Sequence, residues 1–418
     1  MLKIRFKNTY FILVFLSFHG LISCQSNNIN NSEVKTGEKA IQKPEKEPLI
    51  KPAAQQTADY IALLKNKKVA VVANQTSVIF KSDLNLKNTH LVDSLIALNI
   101  QVVKVFAPEH GFRGKADAGE HISDQKDKKT GLPIFSLYGK NKKPSKQLLN
   151  NIDVVLFDIQ DVGVRFYTYI STLHYVMEAC AENGIPVIVL DRPNPNRHIV
   201  DGPMLEPGLR SFVGMHPVPT IYGLTIGEYA LMINGEKWLN KGIQCNLTVI
   251  PVKNYKDASM YNLPIKPSPN LPNAQSINLY PSLCLFEGTV ISCGRGTEQQ
   301  FQIYGGPDLP KASFSFSFTP QANFGSKHPK HKSKICYGED LSQHPTMTKF
   351  DLTWIKKAYD NSPDKSLFFN SFFDKLAGNL RLKKQLTQGM SIKEIEATWK
   401  EDLAIFNKTR NKYTLYTK

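Results

Sequence analysis

One short segment of the chain concentrates the residue types that carry acid–base chemistry. Residues 108–124 read PEHGFRGKADAGEHISD, in which carboxylates and histidines stand among three glycines. Carboxylates and bases that lie close together can be held in different protonation states at one pH, and glycines let a backbone approach a ligand closely. A solvated turn of mixed charge is the alternative interpretation. The candidate catalytic residues of this segment are Glu109, His110, Asp117 and Glu120. Its candidate substrate-binding cation is Arg113.

A second cluster, residues 158–167, reads DIQDVGVRFY and offers Asp161, Arg165 and Tyr167 as candidates for substrate binding. Aromatic side chains next to a few polar groups are typical of the wall of a ligand site, here one that could stack on a sugar. In the structural alternative, Asp161 and Arg165 pair with each other and cap the following helix, while the aromatic residues join the core. The sequence leaves both interpretations open.

A third cluster, residues 286–298, reads FEGTVISCGRGTE. Glu287 is a further candidate catalytic carboxylate. Arg295 stands between two glycines that expose it, and a guanidinium can fork onto a carboxylate of a ligand, so Arg295 is a candidate for substrate binding. The alternative is an ordinary glycine-rich turn with a solvated arginine.

The sequence lacks the short motifs of several other chemistries. It contains no G-x-x-x-x-G-K-[ST], no G-x-G-x-x-G after the first predicted strand, no H-E-x-x-H and no G-x-S-x-G. These patterns accompany nucleotide binding, zinc-dependent hydrolysis and serine nucleophiles. The sequence therefore predicts no cofactor and no metal.

The elements that position these clusters follow from the apolar pattern. Short β-branched runs are apolar at both odd and even positions, which is typical of strands buried on both faces. Helical spacing between these runs predicts a parallel sheet with right-handed crossovers, and ligands bind beyond the carboxyl ends of such strands. Asn74 and Glu109 stand at those ends, so Asn74 is also a candidate for substrate binding. The predicted strands are 69–73, 102–106, 154–157 and 187–190.

The predicted fold class is α/β, a Rossmann-like parallel sheet domain followed by a smaller C-terminal α+β subdomain. After Asn194 the alternation gives way to Pro-rich and Gly-rich connections, and residues 313–318, SFSFSF, alternate as a strand does. We expect the active site in the cleft between the two parts. The predicted divisions are a signal peptide at 1–23, a disordered tether at 24–55, a catalytic domain at 56–310 and the subdomain at 311–418.

The N-terminus has the pattern of an exported lipoprotein. Basic residues precede an apolar stretch that is too short to span a bilayer, and Leu21-Ile22-Ser23-Cys24 follows at once. This tetrad resembles the lipobox of lipoprotein signal peptidase, so Cys24 is the predicted lipidation site. We expect a cell-envelope protein anchored in a membrane, and the outer membrane, facing the periplasm, is the favoured location. An ordinary signal peptide with an incidental Cys24 is the alternative.

The formal net charge of +16 indicates anionic partners. Outside the cytoplasm such partners are envelope polymers and lipid headgroups, and we expect no nucleic acid partner. The densest basic patch, residues 327–334, is interpreted as a solvated loop without a function.

Several ordered motifs together resemble the exo-β-N-acetylmuramidases of the NamZ type, a glycoside hydrolase family long catalogued as a domain of unknown function. The resemblance extends from about Lys67 to Tyr416. It implies a Rossmann-like catalytic domain with a small mixed subdomain, and release of terminal N-acetylmuramic acid from the non-reducing ends of peptidoglycan fragments. The motifs are PEHGFRG, D-x-Q-D-V-G-x-R-F-Y-T-Y, D-R-P-N-P, P-S-P-N-L-P, F-E-G-T…S-x-G-R-G-T and F-D-K-L-A-G.

By this resemblance, Glu109 matches the family's proposed catalytic glutamate, and Glu287 and Arg295 match its second loop facing the cleft. The sequence departs from the family's pattern at Glu298, where a small or polar residue is expected, and at Lys115. Glycoside hydrolysis needs a general acid and a second carboxylate or neighbouring group. Glu109 is the candidate acid, and the sequence does not choose its partner among Asp117, Glu120 and Glu287.

Two other functions remain open from the sequence alone. An eliminating muramidase would use the same carboxylates as bases and release an unsaturated or anhydro sugar. A non-catalytic, peptidoglycan-binding lipoprotein would need only the basic charge and the tether. Turnover separates the second from an enzyme, and the mass of the product separates elimination from hydrolysis.

Overall fold

The computed structural model describes residues 48–82, 85–113, 125–256, 259 and 261–416. The predicted lipidation site Cys24 and the predicted catalytic residues Asp117 and Glu120 lie outside these ranges. Within the described ranges, no helix is long and apolar enough to cross a membrane.

Seven strands form the main sheet in the order β5-β6-β4-β1-β7-β8-β9, and every neighbouring pair is parallel except β5 with β6. The six parallel strands thus follow the doubly wound order 3-2-1-4-5-6, with a switch point between β1 and β7. The strands of this sheet are β1 Val69–Ala73, β4 Val102–Ala107, β5 Gln125–Lys126, β6 Pro133–Ser136, β7 Val154–Asp158, β8 Val187–Leu190 and β9 Leu247–Ile250. The predicted α/β class and its parallel sheet are confirmed.

Two smaller sheets complete the β structure. Strands β2 Val78–Ser82 and β3 Asn85–His90 pair as an antiparallel ribbon directly after β1. The C-terminal sheet has the order β10-β12-β11 and is antiparallel throughout. Its strands are β10 Ile303–Gly306, β11 Phe316–Phe318 and β12 Cys336–Asp340.

Helices cover both faces of the main sheet and make up most of the C-terminal part. The 3-10 helices lie at Ala53–Gln55, Pro207–Leu209, Asn240–Gly242 and Cys284–Gly288. The α-helices are α1 Thr57–Leu64, α2 Leu91–Ala97, α3 Lys146–Leu149, α4 Tyr169–Glu182, α5 Ile226–Gly235, α6 Ala274–Leu283, α7 Thr353–Asp360, α8 Phe373–Ala377, α9 Arg381–Thr387, α10 Ile392–Ala397 and α11 Lys400–Arg410.

The apolar pattern of the central strands explains the two cores. Along β1, Ala70 and Val72 join the core on one face, while Val69, Val71 and Ala73 join the core on the other. Successive side chains of a strand point to opposite faces, so a strand that is buried on both sides must be apolar at every position. The larger core continues without a break into the C-terminal helices.

Candidate active site

A cavity of about 560 Å³ opens beyond the carboxyl ends of the strands and brings Glu109 and Glu287 together in its lining. Glu109 follows β4 after one proline, so the parallel sheet fixes its position. Glu287 belongs to the 3-10 helix Cys284–Gly288, which continues directly from α6. Gly288 is required there because a Cβ at this position would lie 2.4 Å from the Cα of Phe373 in α8.

Two hydroxyl groups donate hydrogen bonds to the Glu109 carboxylate. Thr168 Oγ1 donates to Glu109 Oε2 over 2.7 Å. Burial first, and then the charge of Glu109, raise the pKa of the Tyr138 hydroxyl well above its ordinary value, so Tyr138 remains a neutral donor to this carboxylate. The neutral hydroxyls of Thr168 and Tyr138 are thus two of the groups that hold the Glu109 carboxylate.

His110 also lines the cavity and has a left-handed backbone, with φ of +69°. This conformation closes a turn in which the Gly111 N–H donates to the Pro108 carbonyl over 3.0 Å. Histidine tolerates positive φ better than most residues, and such conformations concentrate at functional sites. The turn sends the chain away from the sheet directly after Glu109.

Glu287 is part of a charged cluster in the lining of the same cavity. Arg295 Nε donates to its Oε1 over 2.7 Å, and Cys293 Sγ donates to the same oxygen over 2.9 Å. Burial raises the pKa of Glu287, but the positive charges of Arg295 and Lys330 outweigh burial and hold that pKa below its ordinary value. Glu287 is therefore ionised at neutral pH, although only 24% of its side chain is exposed.

Lys330 is a part of this cluster that the sequence did not reveal. Its ammonium donates to the backbone carbonyls of Phe286 and Thr289 over 2.8 and 2.6 Å. It comes from the basic patch 327–334, for which the sequence predicted a solvated loop. That interpretation is wrong for Lys330, because Lys330 folds back and holds the loop that carries Glu287. A run of lysines and histidines contains no signal for such a contact.

Aromatic rings form much of the remaining lining. Tyr167 packs edge-on against Tyr169 and Tyr280, with ring centroids 4.8 and 6.0 Å apart, and Tyr280 packs against Phe301. These rings line the cavity and also contact the core. The wall and core interpretations of Tyr167 therefore both describe its position.

Arg165, a predicted substrate-binding cation, lies in the core and not in the cavity lining. Its guanidinium donates to the Pro203, Val218, Leu376 and Ala377 carbonyls over 2.6 to 3.1 Å. Burial lowers the pKa of Arg165 to about 10, so it remains charged at neutral pH. Gly378 passes so close that a Cβ there would lie 2.3 Å from Arg165 Nη2. Arg165 thus joins the sheet domain to the end of α8.

Asp161 does not pair with Arg165 and does not line the cavity. It accepts hydrogen bonds from the Tyr222 hydroxyl and from the Gly163 N–H. Burial raises the pKa of Asp161 to about 7. Asp161 therefore neither pairs with Arg165 nor caps α4. It instead closes the turn before that helix.

Asn74 and Arg113 also lie outside the cavity lining. Asn74 is fully buried, and its Nδ2 donates to the Tyr169 hydroxyl over 3.0 Å, so it orients a lining residue without reaching the cavity. Arg113 forks onto Asp127, with Nη2 2.9 Å from Oδ2. Of the predicted substrate-binding residues, Tyr167 and Arg295 line the cavity.

Further lining residues come from segments without a chemical motif. Tyr138, Lys142, Phe212 and Asn270 line the cavity. The Lys142 ammonium lies 4.8 Å from the centre of the Phe212 ring. Lys142 belongs to the run KNKKPSK, in which no single lysine is distinguished by sequence.

Comparison with known proteins places this architecture in a family. The model for "Exo-beta-N-acetylmuramidase NamZ, N-terminal" matches residues 69–275, and that for its C-terminal part matches residues 278–416. A protein of Bacillus subtilis (strain 168) named peptidoglycan beta-N-acetylmuramidase NamZ is 40% identical over an alignment of 388 residues, and the match covers 86% of this chain and 89% of that protein.

Solved structures agree with the sequence matches. Crystal structures of two DUF1343 family proteins from Bacteroides fragilis superpose on this chain with TM-scores of 0.80 and 0.74. Their sequence identities to it are 42% and 30%, and each comparison covers 88% of this chain and 99% of the other. Sequence and structure together show that the chain belongs to the exo-β-N-acetylmuramidase NamZ family.

Proposed function

We propose that the protein is an exo-acting β-N-acetylmuramidase, a glycoside hydrolase that releases terminal N-acetylmuramic acid from the non-reducing ends of peptidoglycan fragments. The observation that carries this proposal is the pair of carboxylates, Glu109 and Glu287, on the walls of one cavity. The 40% identical relative bears the name of this activity. Fragment release of this kind serves cell-wall turnover and recycling.

Glu109 has the position of a general acid. Departure of a glycosidic oxygen requires a proton from a carboxylic acid in the transition state. The Thr168 hydroxyl holds one oxygen of Glu109 at 2.7 Å, and Glu109 lines the cavity.

Glu287 suits the second role, which requires a negative charge near the developing oxocarbenium ion. Arg295 and Lys330 keep it ionised without removing it from the cavity lining. Asp117 and Glu120 were equal candidates for this role in the sequence, and they lie outside the described residues. We assign the role to Glu287 because it lines the same cavity as Glu109.

The lactyl carboxylate of muramic acid needs a cation in the site. Arg295 lines the cavity, but its Nε is engaged by Glu287. Lys142 lines the cavity on the side of Phe212, and we assign it the contact with the lactyl group. A cation above an aromatic ring suits a ligand that combines a carboxylate with an apolar ring face.

The function is tested with two disaccharides that differ in the order of their sugars. We expect the protein to release N-acetylmuramic acid from the disaccharide with muramic acid at the non-reducing end. We expect no release from the disaccharide that has N-acetylglucosamine at that end. A protein that binds either disaccharide and cleaves neither would support the non-catalytic alternative, and equal cleavage of both would contradict exo action on muramic acid.

We also propose that Cys24 is acylated and anchors the protein in the cell envelope, at the periplasmic face of the outer membrane. One or more acyl chains would supply the membrane affinity, with a soluble catalytic body behind the tether. We expect Cys24→Ala to move the protein from the membrane pellet to the soluble fraction while its specific activity stays unchanged. A Cys24→Ala protein that still sediments with membranes would contradict this anchor.

A further inference from the structure

A second cavity, of about 630 Å³, lies beside the active site. The segment 210–217 separates the two, because Phe212 and Val213 line the active site while Arg210, Met215 and His216 line the second cavity. Nothing in the proposed chemistry uses the second cavity. Its proximity to the active site makes it a candidate for binding a more distant part of the same substrate.

Aromatic rings connect the two cavities. Tyr138 and Phe212 line the active site with ring centroids 5.9 Å apart. Tyr175 lines the second cavity and stacks on Phe212 at 6.3 Å, with an angle of 17° between the rings. Inside the second cavity, Trp238 stacks flat on His216 at 4.8 Å. Flat aromatic faces in sequence suit a chain of sugar rings, which present apolar faces between polar edges.

Positive charge surrounds the second cavity. Arg210, Lys237 and Lys241 line it and are exposed. Lys237 and Lys241 both have φ of +56°, a left-handed conformation that long side chains seldom adopt. Among the described residues that line the cavity, Glu178 is the only carboxylate, and Lys143 pairs with it at 2.7 Å. The cavity therefore favours an anionic group.

A buried chain of hydrogen bonds fixes the floor of the cavity. The Tyr229 hydroxyl lies 3.1 Å from His216 Nδ1, and His216 Nε2 lies 2.9 Å from His174 Nδ1. His174 Nε2 faces Glu178 at 3.5 Å. Burial lowers the pKa of both histidines, so they are neutral, and each ring has one donor and one acceptor for this chain. A floor held in this way keeps His216 beneath Trp238.

We propose that the second cavity binds the downstream glycan of the substrate, and that its cations bind the lactyl carboxylate of the next muramic acid along the strand. This inference rests on the proposed function. With the terminal muramic acid in the active site, the following N-acetylglucosamine lies along Phe212 and Tyr175. The next sugar is again a muramic acid, which brings a carboxylate to Lys237 and Lys241.

The test compares kcat/KM for the disaccharide with that for a peptide-free tetrasaccharide of two such repeats. We expect the wild-type protein to prefer the tetrasaccharide about tenfold, the effect of one charge-assisted contact. We expect Lys237→Asn/Lys241→Asn to abolish this preference while the disaccharide rate stays unchanged. Asparagine removes the charge and tolerates the left-handed backbone, so the fold should be retained. Tyr175→Leu should lower kcat/KM for both substrates, because the N-acetylglucosamine that lies along this ring is present in both.

The matched control is Lys65→Asn/Lys67→Asn, which removes two charges from the connection between α1 and β1, outside the lining of either cavity. It should keep the preference for the tetrasaccharide. On the substrate side, reduction of the internal lactyl carboxylate to an alcohol should abolish the preference of the wild-type protein and should not change the rate of the double variant on the tetrasaccharide.

Equal wild-type rates on the disaccharide and the tetrasaccharide would overturn this inference and leave the proposed function intact. A preference seen only when a peptide is attached to the internal muramic acid would also overturn it, and would indicate that the second cavity binds a peptide. Failure to cleave either substrate would overturn the proposed function, and this inference with it.

Discussion

Replacement of Glu109 by glutamine lowers kcat on the natural disaccharide about 10²–10⁴-fold, the usual contribution of a general acid. Glutamine keeps the size of the side chain and an oxygen that accepts from Thr168, so we expect the unfolding midpoint to stay unchanged. A nitrophenol leaving group needs little protonation. Steady-state kinetics on aryl muramides should therefore show a much smaller loss than kinetics on the disaccharide.

Glu298→Gln is the matched control, because Glu298 is an exposed glutamate that does not line the cavity. It should leave both rates unchanged, although Glu298 departs from the family's pattern. Equal losses on the aryl and natural substrates would make Glu109 a nucleophile or base. Near wild-type activity of Glu109→Gln on the disaccharide would remove Glu109 from the chemistry altogether.

Arg165→Met has the largest expected effect on stability. The substitution removes the donor of the Pro203, Leu376 and Ala377 carbonyls, while the Val218 carbonyl keeps the Leu205 N–H. Each carbonyl left unsatisfied costs about 1–3 kcal/mol before water or local movement compensates. We expect the free energy of unfolding in urea to fall by at least about 3 kcal/mol. KM for the disaccharide, measured where the variant is folded, should stay near the wild-type value.

Arg165→Lys separates charge from geometry at this position. Lysine keeps the positive charge but cannot present two nitrogens to two pairs of carbonyls, so its stability should lie between those of the wild type and Arg165→Met. An Arg165→Met protein with wild-type stability and a raised KM would return Arg165 to the substrate-binding role that the sequence suggested.

The sequence predicted the sheet well because a strand that is buried on both faces is a continuous run of apolar residues, which can be recognised locally. β1 and β8 have the predicted bounds, and β4 and β7 each extend one residue further. The strand predicted at 313–318 begins only at Phe316, because the Ser313 and Phe314 N–H groups both donate to the Pro310 carbonyl and close a turn. A period-two pattern cannot show that a nearby carbonyl competes for the backbone.

The candidate site was predicted in part. Glu109 could be placed because the end of a parallel strand determines its surroundings. Arg165 and Asp161 were assigned to the substrate because charged residues near aromatic ones suggest a ligand wall. Their true partners are the Val218 and Leu376 carbonyls and the Tyr222 hydroxyl, each more than 50 residues away in the chain. The sequence alone does not distinguish a charged residue that is satisfied within the core from one that binds a ligand.

The ionised state of Glu287 likewise depends on contacts that the sequence does not predict. Its ionised state depends on Arg295, eight residues away, and on Lys330, which returns from a loop more than 40 residues later. The sequence predicted neither contact, because it assigned the Arg295 guanidinium to a carboxylate of the ligand. The second depends on the path of the chain through the C-terminal part.

The most direct test of the central claim is cleavage of the muramic acid-terminated disaccharide in heavy-oxygen water, followed by mass spectrometry. Hydrolysis by two carboxylates predicts free N-acetylmuramic acid that carries one heavy oxygen when it is measured before the anomeric oxygen exchanges with solvent. An unsaturated or anhydro sugar, one water lighter and without the label, would contradict hydrolysis and establish elimination.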